Sequence, residues 1–285
     1  MSVIRKILKI VILVSLVMMP NISLAAFFQD GFESGDLTHA ENGARWNSAV
    51  SVVTAENGVV PANGSYMAKF SFDTTGGQIA PGAELRFLLG SHKTETYIQY
   101  KVWIPNNFNP TNSSNNKLIR IWDENANYSA STNKMGAEYR DYDDVGNIFR
   151  AYPITTVNSN SNASCADITA GPIRDWGWPE YHAPSTSLGK WQTWEWHFKS
   201  DSGIGDGAIQ WWVDGQLVLN EVNKPWLGAP CAPGYFLAGY LFGSANSGFT
   251  TQTNIYMDDV VFSDTYIGVT SDTIPPAAPT GLSVI

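Results

Sequence analysis

The sequence predicts an all-β protein, a two-sheet sandwich or jelly roll, and three observations carry that prediction. Short runs that alternate apolar and polar residues recur between residues 27 and 262. Between them lie clusters of Gly, Asn, Asp, Ser and Pro, the residues of turns. No segment after residue 25 combines helix caps with a 3.6-residue apolar stripe, and no fixed-period repeat is present. A chain of 285 residues can form one such domain.

The clearest stretch is Trp191 to Asn220. Trp194, Trp196 and Phe198 fall on one strand face, with Thr193, Glu195, His197 and Lys199 on the other. Residues 200–207 supply Gly and Asp for tight turns. Ile209, Trp211 and Val213 then alternate with Gln210 and Trp212, and Asp214-Gly215 predicts a two-residue hairpin. The abundance of Trp, 11 in all, raises a choice between core and ligand platform. The alternation assigns Trp194, Trp196 and Trp211 to the core, and leaves Trp103, Trp176, Trp178 and Trp212 as ligand candidates.

Residues 1–25 read as a secretory leader. Arg5, Lys6 and Lys9 precede a short apolar core, and small residues end at Ala25. An exported protein, extracellular or periplasmic and with no membrane attachment after cleavage, is expected. Loss of the three leader cations takes the formal net charge from −9 to −12. Such a surface argues against nucleic acid as a partner. Cys165 and Cys231 are the only cysteines, and in an oxidising compartment the default is a disulfide between them. Closing that loop contributes ~3–4 kcal/mol in the chain-entropy account.

In order, strands are expected at Val50–Val53, Tyr66–Phe72, Glu84–Leu89, Tyr97–Ile104, Leu118–Trp122, Met135–Tyr139 and Asn147–Tyr152. The Tyr97–Ile104 strand presents Tyr97, Gln99, Lys101 and Trp103 on its non-core face. Residues 153–190 read as a long loop, which in a compact domain is functional or disordered. Tyr235–Phe242 and Asn254–Phe262 close the domain, giving boundaries of 26–268. Residues 269–285 form a Pro-rich linker that resembles the entry into a fibronectin type III module, of which about one strand is present.

Two constellations carry chemistry. Glu33, in a turn near the N-terminus, and Asp258 and Asp259, on the last strand, meet if the first and last strands pair. Carboxylates beside turn carbonyls suit a structural calcium ion, and solvated turn carboxylates are the alternative. The second constellation is ionisable. Arg86, Lys101, Lys117, Arg120, Arg140 and Arg150 lie in or beside strands, and Tyr139, Tyr181, His182, His197 and Tyr240 can move protons. Removing the proton α to a uronate carboxylate needs both kinds of group.

The order of Glu84-Leu85-Arg86, YIQYKVWIP (Tyr97 to Pro105), Trp212 to Gly215, YFLAGY (Tyr235 to Tyr240) and DDVVFSD (Asp258 to Asp264) resembles concanavalin A-like jelly-roll proteins. Within them it is most similar to secreted alginate, glucuronan and heparin lyase-like enzymes. In the alginate lyase pattern, Gly82 stands where a leading Arg is expected and Leu237 replaces a Lys. Tyr240 falls one position early, and Glu138-Tyr139-Arg140 stands in place of a Gln-x-His strand. The Glu-x-Asp-x-x-Glu motif of laminarinase-type glycosidases is absent, which argues against a retaining glycosidase.

The resemblance implies a polysaccharide lyase, expected as a monomer. Arg86 and Arg140 would neutralise the uronate, with Tyr240, His182 or His197 as base and acid. Tyr97, Gln99, Lys101, Trp103, Lys117, Tyr139, Gln210 and Trp212 are the substrate-binding candidates. A non-catalytic carbohydrate-binding module using the same residues is the alternative.

Overall fold

The structure is a computed structural model that describes residues 26–47, 50–75, 84–109, 116–123, 133–140, 150–157, 181–182, 188–224, 234–243 and 248–269. The leader, both cysteines, Trp176, Trp178 and the Pro-rich tail lie outside these residues. Among the described residues there is no helix, and every strand pairing is antiparallel.

Two sheets form. Sheet I runs β14 (Gln216–Lys224), β13 (Gly207–Val213), β12 (Trp191–Lys199), β7 (Glu95–Trp103), β16 (Thr253–Ser263), β5 (Met67–Phe72) and β4 (Ser51–Val53). Strand β1 (Ala26–Asp30) also pairs with β16, so the first and last strands meet as expected. Sheet II runs β11 (Tyr181–His182), β10 (Arg150–Val157), β9 (Asn133–Arg140), β8 (Asn116–Trp122), β15 (Phe236–Leu241), β6 (Leu85–Lys93), β3 (Ala44–Trp46) and β2 (Ala40–Glu41). This is the antiparallel jelly-roll sandwich that the alternating runs predict.

The core follows from period-two alternation. Ile98, Tyr100 and Val102 on β7, Trp194, Trp196 and Phe198 on β12, and Trp211 on β13 point inward and are buried. From sheet II they meet Leu85, Phe87, Ile119, Ile121 and Leu241. Trp196 stacks on Trp211 at 4.9 Å and 4°, while Trp194 meets Trp211 edge-on at 4.8 Å. The buried polar edges are served too: Trp196 Nε1 donates to Tyr100 Oη at 3.0 Å, and Trp194 Nε1 to Gln192 Oε1 at 3.2 Å. Asp214 and Gly215 both take positive φ, 49° and 78°, as a two-residue type I′ hairpin requires.

Two expectations need correction. Strand β10 continues to Val157 and β11 lies at Tyr181–His182, so residues 153–190 are not wholly loop. The short β2 and β3 are also additional, since two or three residues are too few to show alternation.

Sheet II is held tight by Gly239, where a Cβ would overlap the Phe87 ring and lie 2.5 Å from the Arg120 carbonyl oxygen. Gly239→Ala is therefore expected to cost about 2–4 kcal/mol in urea denaturation. An unchanged midpoint would mean that β15 is not packed this closely on β6 and β8.

Candidate functional site

The sequence candidates divide between the two outer faces of the sandwich. On sheet II, Arg86, Tyr240 and Arg120 occupy directly opposed positions on β6, β15 and β8. Their strand neighbours Leu85, Phe87, Ile119, Ile121 and Leu241 are in the core, so alternation sends all three to the outer face. Directly opposed side chains on adjacent strands are close enough to interact. Trp122, Ala238 and Tyr240 form a small cluster on that face, with Leu88 against it. Lys117 joins the group, since a Cβ at Gly243 would meet Lys117 Cβ at 2.7 Å and Tyr240 Cε2 at 3.1 Å. Glu84 pairs with the Arg86 guanidinium. Tyr240 is 2% exposed and Arg120 4%.

The register row continues across sheet II. Gly136 on β9 stands opposite Arg120, and farther along the same strand Arg140 is opposite Arg150, which is opposite His182. Arg86, Arg120, Arg140, Arg150 and His182 therefore belong to one sheet, as does Tyr240. Tyr139 is opposite Asn116 and Ala151. Arg120 is the residue whose partnership with Tyr240 sequence reasoning did not pick out, although the alternation of Leu118 to Trp122 contained the signal.

On sheet I the remaining candidates serve a different purpose. His197 is 5% exposed, with Nδ1 2.7 Å from Gln210 Oε1 and Nε2 2.7 Å from Glu95 Oε1. Its ring stacks on Tyr97 at 4.3 Å. Burial, reinforced by the Glu95 charge, pushes the Tyr97 phenol up to about 12. Gln210 Nε2 also donates to Asn220. Glu195 accepts from the Ile267 and Gly268 amides at 2.7 and 2.8 Å, and Gln99 Nε2 donates to Glu195 and to the Gly268 carbonyl. Burial raises the Glu195 pKa despite those donors. Tyr266 packs against Trp212 at 5.0 Å. Residues 266–268 thus lie across the outer face of sheet I, and Gln99, Glu195 and Trp212 hold them there. His197 stands on the opposite sheet from Tyr240, with both nitrogens engaged.

The carboxylates near the chain's two ends do converge, on the segment 63–66. Glu33 accepts from the Ser65 and Tyr66 amides at 3.0 and 3.1 Å. Asp258 accepts from the Asn63 amide at 3.1 Å and from the Asp259 amide at 2.8 Å. Asp259 bonds the Asn63 side chain and pairs with Lys101 at 3.0 Å. A positive φ at Asp259 (49°) and the break in register between Asp258 and Val261 mark a bulge there. In this arrangement the oxygens face N–H and ammonium donors. Among the described residues no three His, Cys, Asp or Glu side chains are placed to hold an ion.

No protein-family model matches the chain, and no curated protein matches it. Among solved structures it is similar to alginate lyase Aly36B carrying an alginate tetrasaccharide, at 12% identity and a TM-score of 0.49, covering 87% of this chain and 96% of that one. It is similar to the endo-β-1,4-glucuronan lyase of the fungus Trichoderma reesei, at 15% identity and a TM-score of 0.49, covering 84% and 96%. A third is the marine alginate lyase of Aplysia kurodai, at 11% identity and a TM-score of 0.48, covering 76% and 87%. The architecture itself rests on the strand pairings above, not on these likenesses.

Burial, with the Asp259 charge adding to it, lifts the Asp258 carboxyl from its ordinary 3.8 to about 6. The folded state then holds that proton more tightly than the unfolded chain, so this group's contribution to stability falls as pH rises from about 4 to about 6. Melting curves across that window are expected to show wild type losing stability relative to Asp258→Asn. A constant difference would remove the assignment, and added calcium that abolished the loss would show that a cation enters between these carboxylates.

Proposed function

We propose that this chain is an exported polysaccharide lyase that cleaves a uronic-acid polymer by β-elimination on the outer face of sheet II. The observation that carries the reading is the placement of Tyr240 between Arg86 and Arg120 in one cross-strand row. Guanidinium groups recognise carboxylates in a bidentate manner and do not lose their charge at neutral pH. Held beside a uronate, they withdraw charge from its carboxylate and acidify the α-proton. A tyrosine held in reach of the α-proton is one of the side chains that can take part in its transfer.

The steps balance as follows. The base takes the proton at C5, and the C5–H electron pair becomes the double bond to C4. The C4–O bond breaks with its electrons on the glycosidic oxygen, which accepts a proton from an acid. Tyr240 is assigned as base, Arg86 and Arg120 as uronate anchors, and Arg140 and His182 as further contributors from the same sheet. His197 is not used, since it belongs to sheet I. Export is supported by the leader's charge and apolar pattern. Among the described residues no helix is long and apolar enough to cross a membrane.

A second reading, a non-catalytic carbohydrate-binding module, is favoured by the burial of Tyr240 and Arg120. One experiment separates the two. The ultraviolet absorbance of the conjugated unsaturated uronate is followed while the protein acts on a panel of uronic-acid polysaccharides. A rise is expected with at least one polymer, and Tyr240→Phe should slow it by roughly 10²–10⁴-fold. No rise with any polymer, together with retention on an immobilised polysaccharide, would overturn the lyase and leave the binding module.

A further inference from the structure

A cavity of about 320 Å³ lies away from the arginine row, at one end of the outer face of sheet I. Its position follows from register. Tyr256 on β16 pairs with Trp103 on β7, and their neighbours Met257 and Val102 are in the core, so Tyr256 and Trp103 face outward. Asn254, two residues before Tyr256, shares that face. The turn at Asn57 and Gly58, both at positive φ, closes one side. Trp191 Nε1 donates to the Val60 carbonyl at 2.8 Å and fixes the chain leaving that turn.

The walls combine two kinds of group. Trp103 and Tyr256 supply rings, while Asn57, Asn106, Asn107, Gln252 and Asn254 supply primary amides. The Tyr256 hydroxyl is already committed, accepting from Asn57 Nδ2 at 2.9 Å and donating to Glu56 Oε1 at 3.0 Å. The ring, rather than the hydroxyl, is what Tyr256 offers a ligand. Asn254 is different: its Oδ1 is buried and accepts no hydrogen bond among the described residues. An oxygen so enclosed is out of a ligand's reach, so the other four amides carry the polar recognition.

Charge narrows the ligand. No Lys, Arg, His, Asp or Glu lines the cavity among the described residues. The Glu56 carboxylate sits just behind Asn57 and Tyr256, bound to Lys69 at 2.8 Å. A uronate would meet no cation here and would approach that carboxylate. Each amide carries both an acceptor and two donors, the complement of a hydroxyl that donates and accepts. The volume is at the small end of ligand pockets, enough for one sugar ring rather than a chain.

We propose that this cavity is a binding site for a single neutral pyranose, separate from the face assigned to the uronate polymer. It stands independently of the lyase reading, because neither the residues nor the sheet face are shared. Its role would be to hold a neutral glycan while the opposite face engages acidic polymer.

Ligand-observed NMR titration tests it, with D-glucose, D-galactose, D-mannose and D-xylose as probes and D-glucuronate as the charged comparison. At least one neutral sugar is expected to bind with a Kd in the millimolar range, and glucuronate at least about tenfold more weakly. Trp103→Ala should weaken that binding by roughly tenfold or more. Because Trp103 also packs on Trp191, the double variant Asn107→Ala/Gln252→Ala, at two exposed positions, provides a second check with the same expected loss. Absence of binding by all four sugars, equal binding of glucuronate, or binding that survives both variants would overturn the proposal.

Discussion

The aromatic layer between the two sheets is the constraint on which the rest depends. Trp194, Trp196 and Trp211, with Tyr100 and Phe198, occupy the inward positions of three adjacent strands. Phe87 reaches across from sheet II to Phe262 of sheet I at 4.8 Å. Truncating one such ring in a close-packed interior costs about 3–5 kcal/mol. Because a one-residue slip would turn every ring outward, this layer sets the register of both sheets. Once register is set, so is the membership of each outer face.

Those faces then diverge. Sheet II brings Arg86, Tyr240 and Arg120 into one row, with Glu84 paired to the Arg86 guanidinium. On sheet I the lysines are matched by acids: Lys69 with Glu56, Lys101 with Asp259, Lys199 with Asp206 and Lys224 with Glu221. Its central polar groups, Glu195 and Gln99, hold residues 267 and 268 in place. At one end of that face, around Trp103 and Tyr256, lies the uncharged, amide-lined cavity. One sandwich thus presents an arginine row on one face and an uncharged cavity on the other.

Much of this was legible in the chain because alternation is a local signal. The inward set of Trp194, Trp196 and Phe198 and the Asp214-Gly215 hairpin follow from short-range pattern or turn chemistry. Sheet membership is not local. His197 and Tyr240 look alike in sequence, each a proton-carrying residue at an outward strand position, yet they stand on opposite sides of the molecule. Strands β6 and β7 are separated only by Thr94 and still belong to different sheets. Alternation names a face without saying which sheet owns it. The bulge at Asp259 and the strap at residues 266–268 were likewise hidden, since each depends on partners far away in the chain.

The central claim is that acidic polymer engages sheet II and not sheet I. Hydrogen–deuterium exchange with a uronic-acid oligosaccharide tests this most directly, because peptides from the two sheets are read separately. Slowed exchange in residues 85–89, 116–122 and 236–241, with 95–103 and 191–199 unchanged, is the predicted result. Protection confined to 95–103 and 191–199 would contradict it, and would move the working face to the sheet that carries His197.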